Sequence, residues 1–201
     1  MDVMLKITDE QYDKFYVTSD THFNHNKDFI YDKRGYSNAT TMTNDMIDII
    51  NQTVGESGIL LHLGDFCLNT TLQQYINILS RLKISELWML NGNHNNPHRF
   101  FDHNSVSYIN YKILRLNDYF TFRHKRKIFT CLHYPMAIWD GMGIGAMHLC
   151  GHSHGSYKLS RPEDGTHKIL DCGWCIHKKP LSLKVIENIM LKKGISNLHH
   201  A

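Results

Sequence analysis

The sequence predicts a mixed α/β fold in a single domain spanning residues 1–201. Two observations predict it. In the first half, short uninterrupted apolar runs alternate with amphipathic helical patterns, as in βαβ units whose parallel strands are buried on both faces. In the second half the pattern turns to β-rich segments, with no repeat, low-complexity tract or Gly/Ser/Pro-rich linker between the halves.

Residues 2–7 and 14–19 read as short strands joined by a polar turn, "TDEQYD". "MTNDMIDIINQTV" places Met46, Ile47, Ile50 and Val54 at helical spacing, with Thr43 as the expected N-cap. "GILLHLGDF" is the next strand. "TLQQYINILSRL" is a helix with Leu72, Tyr75, Ile76, Leu79 and Leu82 on its apolar face, and "SELWMLNGNH" is a strand again. Beyond Asn104, "VSYINYKILRL", "YFTFRHKRKIFTCLHY" and "GAMHLCGHSH" suggest a more antiparallel half. "LSLKVIENIMLKK" carries Leu183, Ile186 and Met190 in helical register and closes the chain as a last helix.

At 201 residues the chain can bury a core without staples, and 42% hydrophobic with 20% charged residues is ordinary for a globular protein. A net charge of +3 admits an anionic substrate but falls short of a dedicated nucleic-acid binder. The five cysteines are odd in number and scattered, which argues against a disulfide framework. No apolar run is long enough for a membrane span, and the N-terminus lacks a signal-peptide pattern, so a cytoplasmic setting is expected. Fifteen histidines are the anomaly, because imidazole is the commonest transition-metal ligand.

Those histidines gather with carboxylates just past apolar runs. In "YVTSDTHFNHN", Asp20 and His22 follow the first central strand; Asp65 sits in "HLGDF"; Asn93 and His94 sit in "LNGNHNN". His133 in "CLHYP" and His152 and His154 in "CGHSH" come from the β-rich half. In open α/β sheets the carboxyl ends of the strands are where ligands bind. Two divalent ions held roughly 3.5–4 Å apart can clamp a phosphoryl group, and a carboxylate must bridge ions that close. Asp65 is the natural bridge, with Asp20, His22 and His154 completing one ion and Asn93, His133 and His152 the other. Mixed imidazole and oxygen ligands suit manganese, iron, zinc or nickel better than calcium or magnesium, which prefer oxygen shells.

The motifs "DTH" at 20–22, "GD" at 64–65, "GNH" at 92–94, His133 and "GHSH" at 151–154 resemble, in order and spacing, the signature of the calcineurin-like metallophosphoesterases. "GWCIHKKPLSL" is similar to the final strand and loop of small prokaryotic or phage members. The resemblance implies a four-layer αββα sandwich of two mixed β-sheets flanked by helices. It also implies two divalent metal ions, manganese first, and hydrolysis of phosphate esters, with His94 protonating the leaving alkoxide rather than binding metal. A nucleotide-type phosphodiester is the preferred substrate. The alternatives are a phosphomonoester of a protein or small metabolite, a nucleic acid cut by a nuclease, and a non-catalytic interaction module. The family usually carries Asp or Glu after the GNH histidine, where this chain has Asn95; Asp102 is a candidate to supply the missing charge.

Some residues are read two ways. Arg34 either caps a substrate phosphate or is an exposed loop arginine, and His25 either steadies a ligand, touches substrate, or is a plain loop histidine. His62, inside an apolar strand, reads as a satisfied core histidine. "CGWC" at 172–175 is a lone CxxC read away from a helix start, so buried thiols in a terminal strand are expected. "RHKRK" at 123–127 reads as a solvated hairpin tip; a phosphate-tracking patch requires Phe120, Phe122 and Phe129 to face outward. Lys178 and Lys179 are the other hint of a basic groove.

Overall fold

The run Ile59–His62 forms β3, with Ile59 and Leu61 facing one hydrophobic cluster and Leu60 the other. A strand buried on both faces has no polar alternation to show, which is why its sequence is a plain apolar block. The computed structural model describes residues 4–94 and 109–195. Asn95 and Asp102 lie outside the described residues, as does the beginning of the expected "VSYINYKILRL" strand.

The strands are β1 (Leu5–Lys6), β2 (Phe15–Thr18), β3, β4 (Glu86–Met89), β5 (Lys112–Arg115), β6 (Phe120–His124), β7 (Lys127–Cys131), β8 (Met147–Cys150), β9 (Ile169–Asp171) and β10 (Leu181–Ser182). The helices are α1 (Asp9–Asp13), α2 (Asp28–Tyr31), α3 (Ala39–Val54), α4 (Leu72–Arg81), α5 (Trp174–His177) and α6 (Leu183–Leu191). The strands form two five-stranded sheets, ordered β10-β2-β3-β4-β5 and β1-β6-β7-β8-β9. Both are mixed: β10 runs antiparallel to β2 in the first, and β6 antiparallel to β7 in the second. This is the sandwich of two mixed sheets flanked by helices that the sequence resemblance implies.

The main core lies between the sheets. Phe15, Val17, Leu61 and Trp88 of the first meet Phe122, Phe129, Leu149 and Leu170 of the second, and Leu183, Ile186 and Met190 of α6 complete it. Aromatic rings fill its centre, with Phe15 edge-on to Trp88 at 5.1 Å and Phe122 stacked on Phe129 at 4.8 Å. A second cluster buries Met42, Met46, Ile47 and Ile50 of α3 and Tyr75, Ile78 and Leu79 of α4 on the outer face of the first sheet. On the outer face of the second sheet, Trp139 and Met142 pack over Cys150 and Ile169.

Several elements differ from their sequence reading. The segment read as a turn is α1, opened by a capping box in which Thr8 and Gln11 bond each other's backbone amides. Asn38, not Thr43, caps α3; Thr43 is a buried helix residue whose hydroxyl accepts from the Asn24 amide. On α4 the buried face runs through Ile78 while Leu72 is exposed, because Tyr75, Ile78, Leu79 and Leu82 hold the helical spacing. β5 pairs parallel with β4, so it completes the first sheet rather than opening the second half. The second sheet is less antiparallel than expected: among its described strands only the β6–β7 hairpin is antiparallel, while β1, β8 and β9 join it by parallel pairing. α5 starts at Trp174, so the CxxC does straddle a helix start; Cys172 is buried behind β9 and Cys175 is half-buried, both as free thiols.

Neighbouring carboxylates pair with part of the hairpin tip. Asp9 pairs with Lys125 and with the buried His124, and Lys127 pairs with Glu187 of α6. Phe122 and Phe129 are fully buried and Phe120 packs against the same core, so none of the three forms an outward stacking platform.

His62 and His148 are structural histidines. His62 donates to the Thr21 hydroxyl and accepts from the Gly64 amide; His148 donates to the Thr130 carbonyl and accepts from the Met136 amide. Burial pushes His148 down to about 4 and His62 to about 3. A depressed folded-state value means that the unfolded chain binds the proton more readily, so this stability is whole above the ordinary histidine value of about 6.5 and is lost as pH falls toward 4. In the metal-free protein, His148→Asn is expected to flatten the dependence of unfolding free energy on pH between 6.5 and 4, measured by urea titration. An unchanged slope would show that His148 is not an acid-sensitive element.

Candidate metal centre

Asp20, Asp65 and Asn93 sit in the loops that follow β2, β3 and β4. These strands are parallel, so their carboxyl ends lie along one edge of the sheet. His133 follows β7, and His152 and His154 follow β8, which is parallel to β7. The two sheets thereby bring the predicted donors together.

Asp20 is fully buried. Its Oδ2 accepts from the His152 amide at 2.9 Å, while its Oδ1 has no hydrogen-bond partner. That oxygen lies 3.9 Å from His22 Nε2 and 3.8 Å from His154 Nε2, and those two nitrogens face each other at 3.4 Å. Asp65 Oδ1 accepts from the His94 amide at 2.9 Å. Its Oδ2 lies 3.7 Å from His22 Nε2 and 3.6 Å from His133 Nε2. His133 donates through Nδ1 to the Leu63 carbonyl, which turns the lone pair of Nε2 toward Asn93 Oδ1 at 2.9 Å. His152 Nδ1 approaches the same Asn93 oxygen at 2.8 Å.

The donors therefore form two adjoining groups, Asp20 with His22 and His154, and Asp20 with Asp65 and His133. Asp65 lies between imidazoles of both groups, and Asp20 is shared as well, a feature the sequence reading did not include. Lone pairs converge here without the protons to satisfy them. Leaving a buried polar group unpaired costs about 1–3 kcal/mol, more for a charged one. Burial pushes the Asp20 carboxyl up to about 7. Burial, reinforced by His154 and Arg34, pushes His22 down to about 2, so it presents a neutral imidazole. A neutral imidazole and a carboxylate in want of a cation are what a divalent transition metal binds. The residues fit such an ion.

The local backbone is bent to make the approach. Asp20, His22, Asp65, His152 and His154 all have positive φ, between 47° and 63°. For residues other than glycine this region costs about 1–2 kcal/mol each, and Asp and His are among those that tolerate it best. Gly92 and Gly151 are required for close contact. A Cβ on Gly92 would lie 2.1 Å from Asp65 Oδ1, and one on Gly151 would lie 2.3 Å from Asp20 Oδ2.

His94 is exposed at the edge of the site, its ring edge-on to His22 at 5.7 Å. His25 is buried with an unpartnered Nδ1, between His22 at 5.7 Å and Phe29 at 5.8 Å. Arg34 is half-buried and turned inward: its guanidinium donates to the carbonyls of Asp20 at 2.7 Å and Thr21 at 2.6 Å. It ties down the DTH loop.

Two further residues escaped the sequence reading. Asp171, buried at the end of β9, accepts from Ser153 Oγ at 2.6 Å, Gly155 N at 2.9 Å and Gly173 N at 2.8 Å, and so shapes the GHSH loop. An aspartate closing an apolar run is the signal that marked Asp20, and it was available in "KILDCG". Cys175 Sγ stands 3.2 Å from His154 Nδ1, with Arg34 Nη2 at 3.4 Å. This contact holds the His154 ring with Nε2 toward the centre. Burial raises the Cys175 thiol, but His154 and Arg34 outweigh it and the group lies below the ordinary thiol range.

No family model matches the chain. The crystal structure of AQ665, a protein of unknown function from Aquifex aeolicus, superposes with a TM-score of 0.59 at 20% identity, covering 87% of this chain and 98% of that one. The fold is shared. YfcE of E. coli, described as a phosphoesterase, gives a TM-score of 0.37 at 13% identity over 70% of this chain and 69% of its own, a likeness too slight to support an inference. The uncharacterized protein MJ1445 of Methanocaldococcus jannaschii is 30% identical over 105 residues, which are 52% of this chain and 58% of that protein. The match thus spans little more than half of that curated relative.

The raised value at Asp20 has a measurable consequence. A folded-state carboxyl raised above its unfolded value of 3.8 contributes stability that is lost as pH rises through about 7. At pH 8 and without metal, Asp20→Asn is expected to melt at or above the wild-type temperature, since a neutral amide replaces a buried charge. Excess manganese should raise the wild-type melting temperature and leave Asp20→Asn nearly unmoved, because an ion at a hundred times its dissociation constant adds about 2.7 kcal/mol. Equal metal-induced shifts in both proteins would remove Asp20 from the ligand set.

Proposed function

We propose that the protein is a metal-dependent phosphoesterase with a dinuclear centre, acting on a nucleotide-type phosphodiester. The observation that carries this reading is the pair of buried carboxylates, Asp20 and Asp65, flanked by imidazoles whose lone pairs converge on the same space. Asp20, His22 and His154 are assigned to one ion, Asn93, His133 and His152 to the other, and Asp65 to both. Two ions held by these residues would supply Lewis acidity to a phosphoryl group and would lower the pKa of a bound water toward neutral.

The chain does the rest. Asp65 takes the backbone amide of His94 on one oxygen, which fixes the start of the loop that carries the general acid. His94, exposed at the rim, is free to meet the leaving alkoxide and give it a proton, a step typically worth about 10²–10⁴-fold. Arg34 and Asp171 hold the DTH and GHSH loops in their strained shapes, so that ligand geometry costs little at the moment of reaction. The ion pairs of Lys125 and Lys127 and the inward phenylalanines weigh against a nuclease groove on that face. Retention of every candidate ligand weighs against a purely structural interaction module.

Chelation is expected to abolish hydrolysis of bis-p-nitrophenyl phosphate and manganese to restore it. Full activity in chelator would refute the dinuclear mechanism, and p-nitrophenyl phosphate assayed in parallel separates diester from monoester preference. Asp65→Asn should lose metal together with rate. His94→Ala should keep its metal and lose mainly kcat, by about 10²-fold or more with a poor leaving group and much less with p-nitrophenolate. Metal analysis beside steady-state kinetics checks the split; equal metal loss in the two variants would contradict it.

A further inference from the structure

Beside His154 a cleft of about 390 Å³ opens between α2 and α5, lined by Phe29, Tyr36, Trp174, Lys33, Arg34 and Lys178, together with Ile30 and Cys175. Its size falls in the range of small-molecule sites. Its walls are largely aromatic and aliphatic. Phe29 is 55% exposed although it lies beside the buried His25. An apolar ring left in water at the edge of a polar centre has area to bury on a ligand.

The charge around it is one-sided. Arg34 commits both terminal nitrogens to the DTH loop, so the cations left to a ligand are Lys33 and Lys178. Both are exposed, and among the described residues neither is paired with a carboxylate; no acidic residue lines the cleft. Lys178 is held on the rim by a left-handed turn at the C-terminal end of α5, with φ of 55°. The occupant must therefore join a planar or apolar group to negative charge. A sugar phosphate leaves the aromatic walls wet, and inorganic phosphate leaves them empty. A nucleobase offers a π face to Phe29, while the positive field of the two lysines attracts the anionic nucleotide that carries it.

We propose that this cleft is the subsite for the base and sugar of a nucleotide whose phosphate lies at the metal centre. The assignment rests on the phosphoesterase reading for the position of that phosphate, and it names residues that reading leaves unused. Base stacking on an aromatic side chain contributes roughly tenfold to a hundredfold in affinity.

Calorimetry on the manganese-loaded protein tests it with adenosine 5′-monophosphate, ribose 5-phosphate and inorganic phosphate as probes. The nucleotide is expected to bind at least tenfold more tightly than ribose 5-phosphate. Phe29→Ala should bring the two within about twofold. Phe29 is exposed, so this variant folds. Lys33→Gln combined with Lys178→Gln should weaken both organic phosphates several-fold, less so at high salt. Equal affinity for nucleotide and ribose 5-phosphate in the wild type, no nucleotide binding at millimolar concentration, or a nucleotide advantage that survives Phe29→Ala would each overturn the proposal. Hydrolysis of a model diester with no base preference would remove the cleft and leave the phosphoesterase standing. A Phe29-dependent base preference without hydrolysis would do the reverse.

Discussion

A carboxylate buried without a protein cation is the constraint around which this molecule is arranged. Asp20 is wholly shielded from solvent, one of its oxygens has no donor, and that oxygen faces the imidazoles of His22 and His154, with Asp65 close by. A hydrophobic core alone does not tolerate such a group. The sandwich holds it because both sheets contribute loops to the same edge, each backbone pinned by long-range hydrogen bonds such as Asp20 N to Gly64 O and Gly151 N to His133 O.

The strain of the site follows from that constraint. Donors from separate loops can reach a common point only if the chain turns sharply just past each strand, and five donor residues in three of those loops use the left-handed region. Stability lost there is compensated by the aromatic core between the sheets and by two clamps on the loops, Arg34 on the DTH backbone and Asp171 on the GHSH backbone. The rigidity that results is what metal ligation needs, since displaced donors lose the ion. It also explains the two close glycines: with the carboxylates drawn in so far, no side-chain carbon fits at Gly92 or Gly151.

The two basic features of the chain have opposite fates. Lys125 and Lys127 of the hairpin are spent on Asp9 and Glu187, where they fasten α1 and α6 to the second sheet. Lys33 and Lys178, without a carboxylate partner among the described residues, stand at the mouth of an aromatic cleft next to His154. Overall charge is nearly balanced, so what matters for an anionic ligand is where the uncompensated cations stand.

The sequence by itself determined the buried strands of the first sheet and the order of candidate ligands at their ends. Apolar blocks mark parallel strands, and parallel strands present their carboxyl ends together, so Asp20, Asp65 and Asn93 were legible as one group. Helix ends were less legible, because Asn38 and Thr43 are both acceptable caps and only packing chooses between them. The tertiary structure alone decided the partners. His124 meets Asp9 across 115 residues of sequence and Cys175 meets Arg34 across 141, and no local pattern encodes such contacts. The inward turn of Arg34, the thiol behind His154, the loop-shaping role of Asp171 and the cleft between α2 and α5 all depend on such distant neighbours. Periodicity says which face of an element is buried; only the folded chain says what lies against it.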